Sequence, residues 1–192
     1  MRVLVFSMAV FAAGAAHAEP ISYTLDPAHT QVAFSIERFG FNNVLGRFDE
    51  VAGEVVLDRE NPANSSVHAV IQVASVDAGN DTRDEHLRSE RWLNASLFPS
   101  MEFRSTSVRI IADDRAEVVG NLTLLGQTHP VTLDVRLNRM GALPNNQRQA
   151  AGFSATGSLD RSAWGSTTAA NLIGDEVRIA IEALAVAAEA AD

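Results

Sequence analysis

The amino-acid sequence predicts an all-β fold, an antiparallel β-barrel of about eight strands with one short helix, on three observations. Apolar residues recur at every second position in short segments, the pattern of strands with one buried face. Turn residues separate these segments at short intervals, as in an up-and-down meander. Gly46, Gly53, Gly120 and Gly157 fall inside segments rather than between them, where glycine favours bending at a barrel corner over a flat sheet.

Residues 1–18 are set aside first. Arg2 supplies a positive charge, Val3 to Ala13 form an apolar run broken only by Ser7, and Ala16-His17-Ala18 places small residues where a signal peptidase cuts. Cleavage is expected after Ala18, which makes 1–18 a signal peptide and 19–192 a single domain. An apolar run this short cannot span a bilayer as a helix, which takes ~20 residues, and no later run is long enough.

The first segment is Ser22 to Leu25, closed by the turn at Asp26-Pro27. Val32, Phe34 and Ile36 then alternate with Ala33, Ser35 and Glu37, and a less regular stretch runs from Val44 to Leu57. After turn chemistry from Asp58 to Ser66, weaker alternation covers Val67 to Val73. Thr82-Arg83-Asp84-Glu85 has the form of a capping box, with Thr82 as N-cap and Glu85 reaching back; a helix is expected from about Arg83 to Trp92, within residues 83–93, ended by Asn94 and Phe98-Pro99. Further segments run from Met101 to Ile111 and Val118 to Leu125, separated by Ala112 to Asp114. The cleanest alternation comes last, in Val131-Leu133-Val135-Leu137, Phe153-Ala155-Gly157-Leu159 and Val177-Ile179-Ile181. The Ala-rich end from Ala183 to Asp192 is expected to be a strand running into a disordered tail.

Composition narrows the function classes. Losing Arg2 with the leader takes the formal net charge from −9 to −10, a balance that repels nucleic-acid phosphates. The chain has no cysteine and no lysine, which excludes disulfides, thiolate chemistry, Schiff-base catalysis and a P-loop lysine. An exported chain without disulfides and with an Ala-rich leader points to a bacterial periplasm.

Candidate chemistry is sparse. His29, His68, His86 and His129 form no His-x-His or His-x-x-x-His pair, so no metal is expected. Ser35 and Ser105 lack the Gly-x-Ser-x-Gly elbow of a serine nucleophile, and Asp58/Glu60 and Asp113/Asp114 lie among turn residues, where carboxylates are solvated. His29 stands in a turn in which Asp26 can orient its ring. Arg161, between a strand and Trp164, reads either as a structural ion-pair or cation–π partner or as a ligand for a polar head group.

Taken in order along the chain, several motifs carry a resemblance: Tyr23-Thr24-Leu25-Asp26-Pro27-Ala28-His29-Thr30, Gly46-Arg47-Phe48, Arg83-Asp84-Glu85-His86-Leu87-Arg88-Ser89, Phe98-Pro99, Gly120-Asn121-Leu122-Thr123-Leu124-Leu125-Gly126, Asp160-Arg161-Ser162-Ala163-Trp164-Gly165 and Ile173-Gly174-Asp175-Glu176-Val177. Their order and spacing over nearly the whole mature length resemble the YceI-like family of periplasmic polyisoprenoid-binding proteins. Two positions depart from the family pattern, Thr30 after the first histidine and Trp92-Leu93 where paired phenylalanines are common.

The resemblance implies an extended lipocalin-like antiparallel β-barrel and a non-enzymatic binding or carrier role for a long-chain isoprenoid, quinone or related amphiphile. It implies no cofactor beyond that lipid, a homodimer in some members, and in others a cytochrome b561-type membrane partner. On this basis Phe34, Ile36, Phe48, Leu87, Phe103, Leu122, Leu133, Phe153, Trp164 and Ile179 are expected to line the interior, with His29 and Arg161 as head-group contacts. The alternatives are an enzyme acting on a lipid or quinone head group, a barrel filled with side chains serving assembly, and an outer-membrane barrel; the last would need lipid-facing apolar strands and aromatic girdles.

Overall fold

The computed structural model describes residues 19–188; the expected signal peptide and the last four residues of the Ala-rich end lie outside them. Eleven strand segments follow in order: β1 (Ile21–Leu25), β2 (Gln31–Arg38), β3 (Asn42–Phe48), β4 (Val51–Leu57), β5 (Ser66–Gln72), β6 (Val76–Asp77), β7 (Ser100–Ala112), β8 (Arg115–Leu124), β9 (Gln127–Ala142), β10 (Gln149–Asp160) and β11 (Ile173–Ala187). One helix, α1 (Asp81–Arg88), lies between β6 and β7.

The eleven segments make eight strands. β1 and β2 both run antiparallel to β11, Tyr23 facing Ala187 and Val32 facing Ile181, so together they form one strand interrupted at 26–30. β3 and β4 pair with β2 and β1 in the same way and form a second. β5 and β6 pair with β4 and β3 and form a third. With β7 to β11 these complete a closed antiparallel ring, sealed by β1 against β11. Closure leaves no long unpaired edge to recruit another chain.

The three interruptions fall at one height. Asp26 N–H donates to Leu184 O at 2.7 Å, and the buried Thr30 hydroxyl donates to the same carbonyl. Asp49 and Glu50, between β3 and β4, give their N–H groups to Ser75 O and Ser75 Oγ, in the turn between β5 and β6. Backbone groups that leave the ladder are thus satisfied across the breaks.

Side chains sort as the period-two pattern predicts. Leu133 and Val131 of β9, Ala155 of β10 and Val118 and Leu122 of β8 are buried. On the outer face Arg109 pairs with Glu117, Arg115 with Asp134 and Arg178 with Glu176. A charged exterior of this kind is not a lipid-facing one, and no helix among the described residues is long and apolar enough to cross a membrane. The tight turn between β8 and β9 has positive φ at both Leu125 and Gly126, as a two-residue hairpin requires.

The helix differs from the expectation. Its N-cap is Asn80, whose side chain accepts from Arg83 N–H at 3.0 Å, not Thr82, which lies within the first turn. Asp84 turns inward to accept from Ala78 N–H, which fixes the chain direction ahead of the helix. The helix stops at Arg88 rather than Trp92; beyond it the chain winds on as turns, with Leu93 N–H donating to Leu87 O and Asn94 in the left-handed region.

Candidate functional site

The interior is a cavity of about 1200 Å³ that runs the length of the barrel. One end, here the helix end, is bounded by the β2–β3 hairpin, α1 with the turns that follow it, and the loop between β10 and β11, which contribute Phe39, Arg83, Trp92 and Leu172. The opposite, hairpin end is bounded by the β4–β5 connection and the β7–β8 turn, with Asp58, Arg59, Asp113 and Asp114. Between them the lining is almost entirely aliphatic and aromatic. A concave, mostly apolar pocket with a few polar groups is the usual form of a small-molecule site.

Space of this size in a barrel of this length needs large inward side chains kept out of the lumen, and the inward glycines achieve it. A Cβ on Gly46 would lie 2.4 Å from Phe34 Cζ, and one on Gly120 would lie 2.3 Å from Phe103 Cζ. Each ring therefore lies flat against the wall over a glycine on the neighbouring strand. At Gly157 the same space is filled by Leu133.

Nine of the ten expected lining residues border this cavity: Phe34, Ile36, Phe48, Leu87, Phe103, Leu122, Leu133, Phe153 and Ile179. Trp164 does not. Alternation ends at Leu159, and Arg161–Trp164 forms a 3-10 turn that takes the indole out of phase. Its Nε1–H donates to Leu122 O at 3.1 Å and its ring meets His129 edge-on, so it is buried in the core at the helix end without bordering the cavity.

His29 is also displaced from its expected role. Its Nδ1 lies 2.8 Å from Asp26 Oδ2 and its side chain is 67% exposed, facing solvent rather than the cavity. That hydrogen bond holds the Asp26 carboxyl below the usual range. Arg161 does border the cavity and is only 5% exposed. It donates through Nε to Gly174 O, through one amino group to Ser166 O and through the other to Ile173 O. These bonds fold the 166–174 segment over the helix end. Trp92 faces the guanidinium at 5.9 Å, and burial lowers its pKa against the opposing field of Asp175.

The remaining histidines do not converge. His86 borders the cavity, His68 pairs with Glu102 at 2.6 Å on the β5–β7 wall, and His129 meets Trp164 edge-on. Ser105 Oγ accepts from Val67 N–H and so joins β7 to β5. Among the described residues, no group of three His, Asp or Glu side chains lies close enough to share a metal ion. The open lumen also contradicts the filled-barrel alternative.

Several lining residues were not anticipated. Met101, Val118, Leu124, Val131 and Ile181 follow from those named by steps of two along their strands. Arg38 and Arg83 carry no such signal, because nothing in their local pattern says which way a long polar side chain turns.

Comparison with known proteins adds relatives of the same shape. The family model for the YceI-like domain matches residues 23–185. A UPF0312 protein of Yersinia enterocolitica is 36% identical over 180 residues, covering 94% of this chain and 93% of that protein. Protein YceI of Escherichia coli is 37% identical, covering 81% of each. Among solved structures, BcnA of Burkholderia cenocepacia superposes with a TM-score of 0.75 at 24% identity, over 83% of this chain and 98% of that one. A polyisoprenoid-binding domain from Saccharophagus degradans superposes with a TM-score of 0.62 at 16% identity, over 88% and 99%.

Proposed function

Since the chain belongs to the YceI-like family, we propose that it is a periplasmic binding or carrier protein for a long-chain isoprenoid, quinone or related amphiphile, exported by residues 1–18 and holding its ligand in the barrel. The observation that carries this reading is the continuous apolar cavity of about 1200 Å³. Each methylene moved from water into such a lumen is worth ~0.8 kcal/mol, so a chain of isoprene units binds through its tail and affinity rises with length. The role is binding rather than catalysis. The histidines are dispersed, and the polar groups at the helix end are arranged to hold loops, not to activate a nucleophile.

The test is purification of the mature protein from its native periplasm, native mass spectrometry, and organic extraction of whatever it carries. A stoichiometric isoprenoid, quinone or fatty amphiphile is the expected result. An empty spectrum, with long-chain lipids also failing to raise the melting temperature, would overturn the reading.

A further inference from the structure

The ionisable groups of the cavity wall are sorted by end. At the helix end they are Arg38, Arg83, His86 and Arg161, with no Asp or Glu among the lining residues. At the hairpin end they are Asp58, Arg59, Asp113, Asp114 and Arg115. There the charges are balanced, for Arg115 pairs with Asp134 and Asp114 with Arg136. In a chain of net charge −9, basic groups gathered at one end of an apolar tube run against the overall bias.

The three arginines are also short of counter-ions, since none forms an ion pair with a described residue. Arg161 spends its donors on neutral carbonyls, while Asp175 turns both carboxylate oxygens to Ser162. Arg38 lies over the Phe39 ring at 3.9 Å. Arg83 donates through one amino group to Ala78 O, and its neighbour Asp84 is engaged by Ala78 N–H. Arg83 Nε is buried and has no partner, the only such side-chain nitrogen or oxygen among the described residues. Arg83 itself is only partly buried and borders the cavity, so its guanidinium stands at the helix end with no carboxylate paired to it.

We propose that the helix end of the cavity seats an anionic lipid head group, a carboxylate or phosphate monoester, held by the combined field of Arg38, Arg83 and Arg161 while the tail runs toward the hairpin end. This inference rests on the reading of the barrel as a lipid site. It moves the polar contact from His29 to Arg83 and sets the direction in which the ligand lies.

Charge-assisted hydrogen bonds are about twice as strong as neutral ones, so selection shows as a preference at constant tail length. The experiment measures Kd for palmitate, hexadecyl phosphate and hexadecanol on wild type, Arg83→Met and Arg38→Met, each checked for an intact fold by its melting transition. Wild type is expected to prefer palmitate or hexadecyl phosphate over hexadecanol by at least tenfold, and whichever acid is preferred identifies the head group. Arg83→Met is expected to reduce that preference below threefold; if it does not fold, Arg38→Met is expected to reduce it by a smaller factor. Hexadecanol binding wild type as tightly as both acids, or a preference untouched in the variants that fold, would overturn the proposal and leave the carrier reading standing. Failure of all three lipids to bind would overturn both.

Discussion

Gly46→Ala tests whether the lumen is held open by the wall glycines. The new Cβ would lie 2.4, 2.7 and 3.1 Å from three atoms of the Phe34 ring and within 4 Å of no closer backbone atom, so the ring yields rather than the strand. Phe48 packs beside it at 5.6 Å between centroids, which leaves the lumen as the open direction. A ring standing out from the wall excludes two or three methylenes of a bound chain, or about 2 kcal/mol at ~0.8 kcal/mol each. That corresponds to roughly 30-fold in affinity. Stability should fall by roughly 0–2.5 kcal/mol, because the alanine restricts the unfolded chain by about 0.4–1 kcal/mol while moving the ring costs about 1–3 kcal/mol. Displacement of a fluorescent long-chain fatty acid reads the affinity and thermal unfolding reads the fold. The double variant Gly46→Ala/Phe34→Leu removes the clash and should recover most of the binding. Wild-type affinity in Gly46→Ala, or no recovery in the double variant, would refute the role given to the ring.

Leu133→Arg or Phe103→Arg places a cation midway along the apolar lumen and is expected to abolish lipid retention in native mass spectra; a folded variant that keeps its lipid would refute the lining. Trp164→Phe removes the indole's hydrogen bond to Leu122 O and should cost about 0.5–1.5 kcal/mol in denaturant unfolding, with lipid affinity unchanged because the indole does not border the cavity. Ser162 N–H and Oγ–H hold the Asp175 pKa below its ordinary value. The stability this contributes is present above the unfolded-state value near 3.8 and is lost as pH falls through the folded one; Asp175→Asn should therefore be less stable than wild type at pH 7, with the difference shrinking in acid melts toward pH 2.

The walls of the barrel were legible in the sequence because half-buried strands must alternate. Val131 to Leu137, Phe153 to Leu159 and Val177 to Ile181 all turn the predicted face inward. Trp164 was misplaced because a 3-10 turn resets the phase within two residues of the last regular position. The capping-box pattern at Thr82 was a sound local signal that lost to Asn80, where the turn at Gly79 delivers the chain and Asp84 is claimed by Ala78. The cavity itself was not legible. Periodicity says that Phe34 and Phe103 point inward but not that Gly46 and Gly120 lie under their rings, because that depends on strand register.

The wall is not equally joined around its circumference. β7 pairs with β5 only as far as Ser100 opposite Gln72; above that height β6 is bonded to β3 alone, and residues 78–99 occupy the space beside it. That plug is held by Val73 N–H to Pro99 O, by Arg88 to the carbonyls of Ala74 and Val76, by the Thr168 hydroxyl to Arg91 O, by Trp92 against Arg161 and by the packing of Leu87 and Leu93. Lifting it breaks these few contacts, whereas parting the wall elsewhere means unzipping a ladder. If the barrel carries a lipid as proposed, the least tightly joined part of its wall lies at the end where the arginines are gathered, and a chain-like guest passing there would enter tail first and leave head first.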